Sequence, residues 1–293
     1  MRYGDAGAFR MALEQRLRNA SQAGASLVRL RKAVVFDRLL ARLMVVAPNR
    51  WVLKGALALD FRLGARTRTT RDMDLAREDD EEAATTDFAA AQSADLGDFF
   101  VFDIQKTRGL GEATGGAVRY RARAELAARL FEEVVIDVGF AGVLTGTPEL
   151  LRGPELLTFA GIEPAEVPAL PLEQHLAEKV HAYTRSYSTG VASTRVKDLV
   201  DIVLIGSFAT LDADRLAEAL RRTFEIRGQQ SLPATLPAPP ADWKVPYGRL
   251  ATEVGLSEDL AAGHAEASAF LNPILANRAS GRWHPERSAW IDG

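Results

Sequence analysis

Two aspartates separated by one residue, Asp72 and Asp74, are the side chains best suited to chemistry in this sequence. On an extended segment, side chains at i and i+2 point to the same side, so these two carboxylates lie close together. Like charges at that distance repel unless a cation lies between them. Mg²⁺ meets that need, because it binds carboxylate oxygens and commonly shares substrate phosphates as further ligands. A solvated turn could also carry two aspartates, so the residues before the pair matter.

Those preceding residues suit a phosphate-binding turn. Residues 51–53 are an apolar run that predicts a short buried strand, and a helical pattern starts directly after Gly55. A loop rich in arginine and threonine, residues 66–71, then leads into the aspartates. The candidate contacts for phosphate groups in this stretch are Lys54, the backbone at Gly55, Thr70 and Arg71.

Asp137 is the predicted third carboxylate of the site. It is the one charged residue in the apolar run 134–140, which predicts a strand. A lone carboxylate inside a strand is costly unless it is paired or binds a metal. We therefore expect Asp137 on a strand beside the aspartate pair, as a third metal ligand. The alternative is an ion pair with an arginine such as Arg71 or Arg121.

The elements around these residues predict an α/β (α+β) fold, with a mixed sheet followed by a mainly helical half. Proline-rich residues 141–171 separate the two, so we assign one domain to 1–150 and another to 151–293. Most of the arginines that cluster on the second helix, Arg31, Arg38 and Arg42, are expected to face solvent, and the tail after Pro273 is expected to be loose. The predicted strands are 99–105, 117–124 and 134–140. Residues 77–97 predict a helix preceded by a solvated acidic turn. The other predicted helices are 6–22, 25–46, 172–187, 195–206, 211–227 and 249–271.

Composition narrows the class of protein. The chain has 293 residues, 47% of them hydrophobic, and no cysteine, which excludes disulfides and thiolate metal sites. No signal-peptide core or membrane-spanning stretch is evident, so we expect a cytoplasmic protein without a membrane partner. The net charge of −3 hides an asymmetry, since residues 1–71 carry +11 and the remainder −14. Such a basic segment favours a polyanionic partner, although solvated arginines on helices would give the same count.

Two pairs of motifs give the chain a family resemblance. K-G-[GA]-x-A-L at 54–59 precedes R-x-[TR]-x-D-x-D-L at 68–75, and K-x-x-[AV]-x-x-R at 179–185 precedes R-x-K-D-L-x-D-[IL] at 195–202. Together they resemble the AbiEii-type nucleotidyltransferase toxins of type IV toxin–antitoxin systems, which include the mycobacterial MenT proteins. The resemblance extends over roughly residues 25–275. It departs from the general nucleotidyltransferase pattern at Ala56, where that pattern has serine, and in the fifteen residues that separate Ala56 from Asp72.

The resemblance implies a nucleotidyltransferase core and assigns roles to the residues that match its motifs. Asp72 and Asp74 would bind Mg²⁺, and Asp137 would be the third ligand or the base that activates the attacking hydroxyl. Lys179 would contact the triphosphate of a bound NTP, and Asp201 would hold a basic group or help arrange the metal site.

The implied reaction is transfer of a nucleoside monophosphate from NTP to the 3′ end of tRNA, which would block aminoacylation and translation. A cognate AbiEi-like antitoxin would then be the partner. Two alternatives remain open from the sequence. One is a nucleotidyltransferase that modifies a small molecule or a protein, and the other is a non-catalytic binding module with a relic site.

Overall fold

Seven strands form one mixed sheet in the structure, a computed structural model that describes residues 1–22, 26–70, 72–107, 117–140, 146–185, 195–228 and 230–292. The spatial order is β3-β4-β5-β2-β1-β7-β6. The β2–β5 and β1–β7 pairs are parallel and the others antiparallel. The strands are β1 (Val52–Lys54), β2 (Asp72–Ala76), β3 (Phe100–Lys106), β4 (Val118–Leu126), β5 (Arg129–Gly139), β6 (Glu149–Arg152) and β7 (Glu166–Ala169).

Four helices pack with this sheet around one apolar core. They are α1 (Ala6–Gln22), α2 (Leu27–Val46), α3 (Gly55–Leu63) and α4 (Glu81–Ser93). Strict alternation along β4 places Val118, Tyr120 and Ala122 in the core, while the arginines between them face the other side of the sheet. Trp51 and Tyr120 both contact the ring of Phe88 within that core. The predicted mixed sheet and its three long strands are thus confirmed.

The expectation that the arginines of α2 face solvent is wrong for two of them. Arg42 is 1% exposed and donates two hydrogen bonds to the carboxylate of Asp98, at 2.9 and 2.6 Å. Arg38 is also buried and pairs with Asp37. These guanidinium groups are neutralised inside the fold, so part of the positive charge counted in residues 1–71 is not available to a partner.

The chain divides into two compact units. The first comprises Met1–Ala65, Thr69–Leu144 and Pro148–Leu170, and the second comprises Arg66–Arg68, Thr145–Thr147 and Pro171–Gly293. The sheet-bearing unit therefore extends past residue 150, because it includes β6, which spans that residue, and β7, which follows it. None of the helices in the described part of the chain is long and apolar enough to cross a membrane.

The second unit is mainly helical, as predicted, with a small three-stranded sheet. The predicted helix 249–271 is instead two helices, because Gly255 adopts φ +74° between them. The tail is also more ordered than expected, since its hairpin pairs with β8 and Trp283 donates a hydrogen bond to the carbonyl of Gly206. The elements are α5 (Leu172–Thr184), α6 (Val196–Phe208), β8 (Leu211–Asp212), α7 (Ala213–Arg227), α8 (Lys244–Glu253), α9 (Leu260–Leu275), β9 (Arg282–His284) and β10 (Ala289–Ile291).

Candidate active site

A row of four charged residues crosses four neighbouring strands of the first unit. Arg119 on β4 is paired in register with Asp137 on β5, Asp137 with Asp74 on β2, and Asp74 with Lys54 on β1. Residues paired in register project to the same face of a sheet, and neighbouring strands are about 4.8 Å apart. The row therefore places two carboxylates side by side, with a cation on each flank. Asp72 lies two residues before Asp74 on β2 and adds a third carboxylate to the same face.

Asp74 is held against the start of α3. Gly55 is the first residue of that helix and has φ +66°, a conformation that favours glycine. A Cβ atom on Gly55 would overlap the carboxyl group of Asp74, so the absence of a side chain leaves room for the carboxylate. The amino end of a helix carries partial positive charge, which stabilises a carboxylate placed there.

Lys54 extends over the sheet from its edge of the row. Its Nζ lies 3.1 Å from the position that a Cβ atom on Gly139 would occupy, and Gly139 is on β5. The lysine side chain therefore reaches past β2 toward the strand that bears Asp137. This brings an ammonium group to the acidic face, where it can bind a phosphate oxygen.

Asp137 forms a bidentate ion pair with Arg119. Nε and Nη2 of Arg119 each donate a hydrogen bond of 2.8 Å to one carboxylate oxygen of Asp137. The Asp137 side chain is 18% exposed and that of Arg119 is 38% exposed. The hydrogen bonds to Asp137 raise the pKa of Arg119, burial opposes this, and the charges of Asp137, Asp72 and Asp74 add to the rise. The alternative of an ion pair for Asp137 is thus realised with Arg119, whereas Arg121 pairs with Glu133.

The donor set of this face suits Mg²⁺ through two carboxylates rather than three. Over the described residues, no group of three or more His, Asp or Glu side chains converges on a point where a metal ion could bind. Asp72 and Asp74 remain side by side on β2, while both oxygens of Asp137 accept hydrogen bonds from Arg119. Mg²⁺ is commonly bound by one or two carboxylates together with substrate phosphates, so the pair on β2 fits the ion.

Thr70 carries a buried hydroxyl two residues before Asp72. The residue is 5% exposed, and its Oγ1 has no hydrogen-bond partner among the residues that the structure describes. A buried hydroxyl without a partner costs roughly 1–3 kcal/mol, so a ligand that accepts or donates a hydrogen bond there would recover that energy. Arg71, the other candidate phosphate contact in this loop, lies outside the described residues.

Lys179 and Asp201 meet in the second unit, in a buried cluster of charges. The Lys179 amine lies 2.8 Å from Asp201 and 3.1 Å from Asp198, and Nε of Arg68 lies 3.0 Å from the other oxygen of Asp201. Burial opposes ionisation of both partners, but the neighbouring opposite charges outweigh it. The pKa of Lys179 is therefore raised, and the charges of Lys179 and Arg68 lower the pKa of Asp201 to about 2.

In this cluster Asp201 pairs with two basic groups, Lys179 and Arg68. Arg68 belongs to the short segment Arg66–Arg68 of the second unit, and it precedes Asp72 by four residues in the chain. Asp201 thus holds Arg68 within the second unit. Two carboxylates already neutralise the Lys179 amine, so a phosphate oxygen would be its third negatively charged partner.

Arg119 is the site residue that the sequence did not reveal. The alternation of arginine with apolar residues at 118–123 predicts an exposed face of β4, but it does not say which arginine meets Asp137. The pairing of β4 with β5 shifts by one residue at Ala124/Glu125, and this shift brings Arg119 opposite Asp137. A β-bulge of this kind leaves little trace in a single sequence.

The mixed sheet carries two aspartates on one strand and a third on the neighbouring strand, and a Lys-Gly turn opens a helix. These features together define a nucleotidyltransferase-like fold. The chain belongs to the AbiEii family, described as nucleotidyl transferase toxins of type IV toxin–antitoxin systems, whose family model matches residues 38–274. The resemblance seen in the motifs is thereby confirmed.

One solved structure shows the same fold at low sequence identity, and a second is less similar. MenT4, a nucleotidyltransferase toxin of Mycobacterium tuberculosis H37Rv, is 20% identical with a TM-score of 0.55, over 92% of this chain and 99% of that chain. JHP933 from Helicobacter pylori is 13% identical with a TM-score of 0.46, over 84% of this chain and 93% of that chain. No curated protein matches the sequence.

Proposed function

We propose that this toxin transfers a nucleoside monophosphate from NTP to the 3′ end of tRNA. In that step the 3′-hydroxyl oxygen of the acceptor bonds to the α-phosphorus of the NTP. The bond from the α-phosphorus to the bridging oxygen breaks, and pyrophosphate leaves. The hydroxyl proton passes to Asp137 if Arg119 releases that carboxylate, and to solvent otherwise. The observation that carries the proposal is the row Arg119–Asp137–Asp74–Lys54 with Asp72 beside it.

The candidate site residues of the first unit each have a role in this proposal. Asp72 and Asp74 hold Mg²⁺, which when bound neutralises charge on the transferred and leaving phosphates. Lys54 and the backbone at Gly55 bind triphosphate oxygens. The general nucleotidyltransferase pattern has a serine where this chain has Ala56. Thr70 supplies a hydrogen bond in its place, because its buried hydroxyl has no partner within the described ranges.

Support for a polyanionic acceptor comes from the same face of the sheet. Arg119, Arg121 and Arg123 alternate along β4 with core residues, so they project on the side that bears the aspartates. Arg121 is 56% exposed and lies 3.4 Å from Glu133, a weak pair that a phosphate can displace. Backbone phosphates of RNA are the natural partners of such a stripe. Lys179 and Asp201 act in this proposal as members of the buried cluster of the second unit that holds Arg68.

The direct test is incubation of the purified chain with Mg²⁺, each α-³²P-labelled NTP and total tRNA. Label on tRNA, and added nucleotides at tRNA 3′ ends sequenced after expression, are the expected results. Label on protein or on a small molecule instead would favour the alternative acceptor class. Loss of label with EDTA would test the dependence on a divalent metal.

Two variants separate catalysis from folding. Asp72→Asn keeps the shape of the side chain but removes a ligand charge, so we expect loss of label and of toxicity. Asp103→Asn, on the exposed face of β3, is the matched control and should leave both unchanged. Toxicity that survives Asp72→Asn would overturn a catalytic function. In cells we expect a cytoplasmic toxin whose AbiEi-like antitoxin restores growth.

A further inference from the structure

The third carboxylate of the site is occupied by a protein cation. Both oxygens of Asp137 accept hydrogen bonds from Arg119 at 2.8 Å, a bidentate geometry that fixes both groups. The bulge at Ala124/Glu125 sets this pairing, because without the one-residue shift Val118 would lie opposite Asp137. Bulges next to functional sites commonly redirect a side chain in this way.

The arrangement places one pair of acids on β2 and a separate acid beside the guanidinium. Asp72 and Asp74 share β2, whereas Asp137 is held on β5 at the far side of the row from Lys54. Together, the three aspartates, Arg119 and Lys54 carry a charge of −1. One divalent cation changes that to +1, which suits a triphosphate, while a second would have to approach a guanidinium of like charge.

Arg119 keeps capacity to act on a ligand while it holds Asp137. Its Nε and Nη2 donate to the carboxylate, and Nη1 makes no hydrogen bond to any residue in the described part of the chain. The charges of Asp72 and Asp74 also act on its guanidinium. The planar guanidinium is always charged and suits phosphate oxygens, so it can neutralise charge where a metal otherwise would.

We propose that Arg119 takes the place of a second divalent cation, so that this site holds one divalent cation and uses Asp137 to position the guanidinium. The inference rests on the proposed nucleotidyltransferase function and concerns how that site is charged. In it, Asp137 is a positioning residue for Arg119 rather than a metal ligand.

The test counts bound metal and does not depend on turnover. The full chain is mixed with an equimolar α,β-imido nucleoside triphosphate, with each base in turn, well above the nucleotide Kd. Mn²⁺ is then titrated in, and free Mn²⁺ is measured by electron paramagnetic resonance. We expect one Mn²⁺ per complex for the wild type and two for Arg119→Gln, because Asp137 becomes available as a third ligand.

Three further variants make the count specific. Arg119→Lys keeps the positive charge and should still give one Mn²⁺. Arg119→Gln combined with Asp137→Asn should return the count from two to one. Arg152→Gln removes an arginine that pairs with Glu163 and Glu166 on an edge strand of the same sheet, and should leave the count at one. Thermal melts establish that each variant is folded.

The possible failures differ from one another. Two Mn²⁺ per wild-type complex, or one in folded Arg119→Gln, would overturn the substitution of Arg119 for a metal while leaving the nucleotidyltransferase function intact. A wild-type count that does not fall in Asp72→Asn would instead contradict the metal site on which the proposed function itself depends.

Discussion

Gly55 and Asp74 are packed so closely that a methyl group on Gly55 would overlap the carboxyl group of Asp74. The overlap includes Cβ of Asp74, at 2.9 Å, so a rotation of the side chain is not enough and the backbone would have to shift to make room. Gly55 thus links two properties of the site, the backbone turn that starts α3 and the orientation of a proposed metal ligand.

Gly55→Ala should therefore abolish transfer. Alanine at φ +66° is strained by about 1–2 kcal/mol, and the displaced Asp74 should lower the transfer rate at least ~100-fold, the order expected for misplacement by about 1 Å. Gly64→Ala is the matched control, because Gly64 has φ +64° but a Cβ there meets nothing within 4 Å. Label transfer and thermal melts of both variants check this. Equal activity in the two variants would contradict the role of Gly55.

Lys54→Gln should weaken use of NTP without unfolding the protein. Lys54 makes no ion pair with any described residue, so its loss leaves no buried carboxylate newly unpaired. A hydrogen bond to a charged group contributes about 1.5–3 kcal/mol, so kcat/KM for NTP should fall roughly 10- to 100-fold. Steady-state transfer with varied NTP measures it, and exposed Lys244→Gln is the control. An unchanged kcat/KM would remove Lys54 from the phosphate site.

Local patterns in the sequence predicted the elements that carry the site. Alternation along β4, the apolar run of β5 and the Lys-Gly break before α3 each depend on neighbouring residues only, and each is present in the structure. The register between strands, in contrast, does not depend on neighbouring residues only. The turn of the β4–β5 hairpin is Ala127-Ala128, both with φ +53°, where Asn-Gly would have been the recognisable signal.

Burial of charge was the other feature that the sequence could not give. Arg42 lies on α2 with an apolar stripe beside it, and the distant Asp98 and the carbonyl of Phe100 make its burial favourable. The prediction of a loose tail was wrong for a similar reason, since Trp283 of the tail is buried and contacts Gly206 on α6. Long-range partners decide both cases, whereas periodicity reports on one helix or strand at a time.

Asp201→Asn should destabilise the second unit strongly. The substitution leaves Lys179 with Asp198 alone and removes the charge that holds Arg68, all within a buried cluster. Breaking a buried ion pair from one side costs about 3–5 kcal/mol. Urea unfolding at pH 7 measures the change, and exposed Glu218→Gln, which breaks pairs on the surface of α7, should give no measurable change.

The same carboxylate should give a specific acid dependence. The pKa of Asp201 in the folded protein is lowered to about 2, below its ordinary value of 3.8. A lowered pKa contributes stability above the unfolded value, and this contribution is lost as the pH falls from about 4 toward 2. Asp201→Asn should therefore flatten the stability profile in that window. A parallel profile in wild type and variant would show that Asp201 is not the group responsible.

His181 should make the second unit less stable in mildly acidic solution. Its side chain is buried against Phe224, with ring centroids 4.9 Å apart. Burial and the charges of three arginines lower the pKa of His181 to about 4, whereas the charge of Glu178 opposes this shift. The three arginines are Arg227, Arg185 and Arg195. The neutral ring is thus favoured, and the stability it contributes is fully present above the unfolded value of 6.5.

That contribution should be lost as the pH falls from 6.5 toward 4, because the unfolded chain binds a proton that the folded ring resists. Because a shift of one pKa unit corresponds to about 1.36 kcal/mol, the loss amounts to roughly 3 kcal/mol. His181→Gln cannot bind that proton, so its urea midpoint should change less over this range than that of the wild type. Exposed His284→Gln should keep the wild-type slope. If His181→Gln kept that slope as well, another group would have to account for the acid sensitivity.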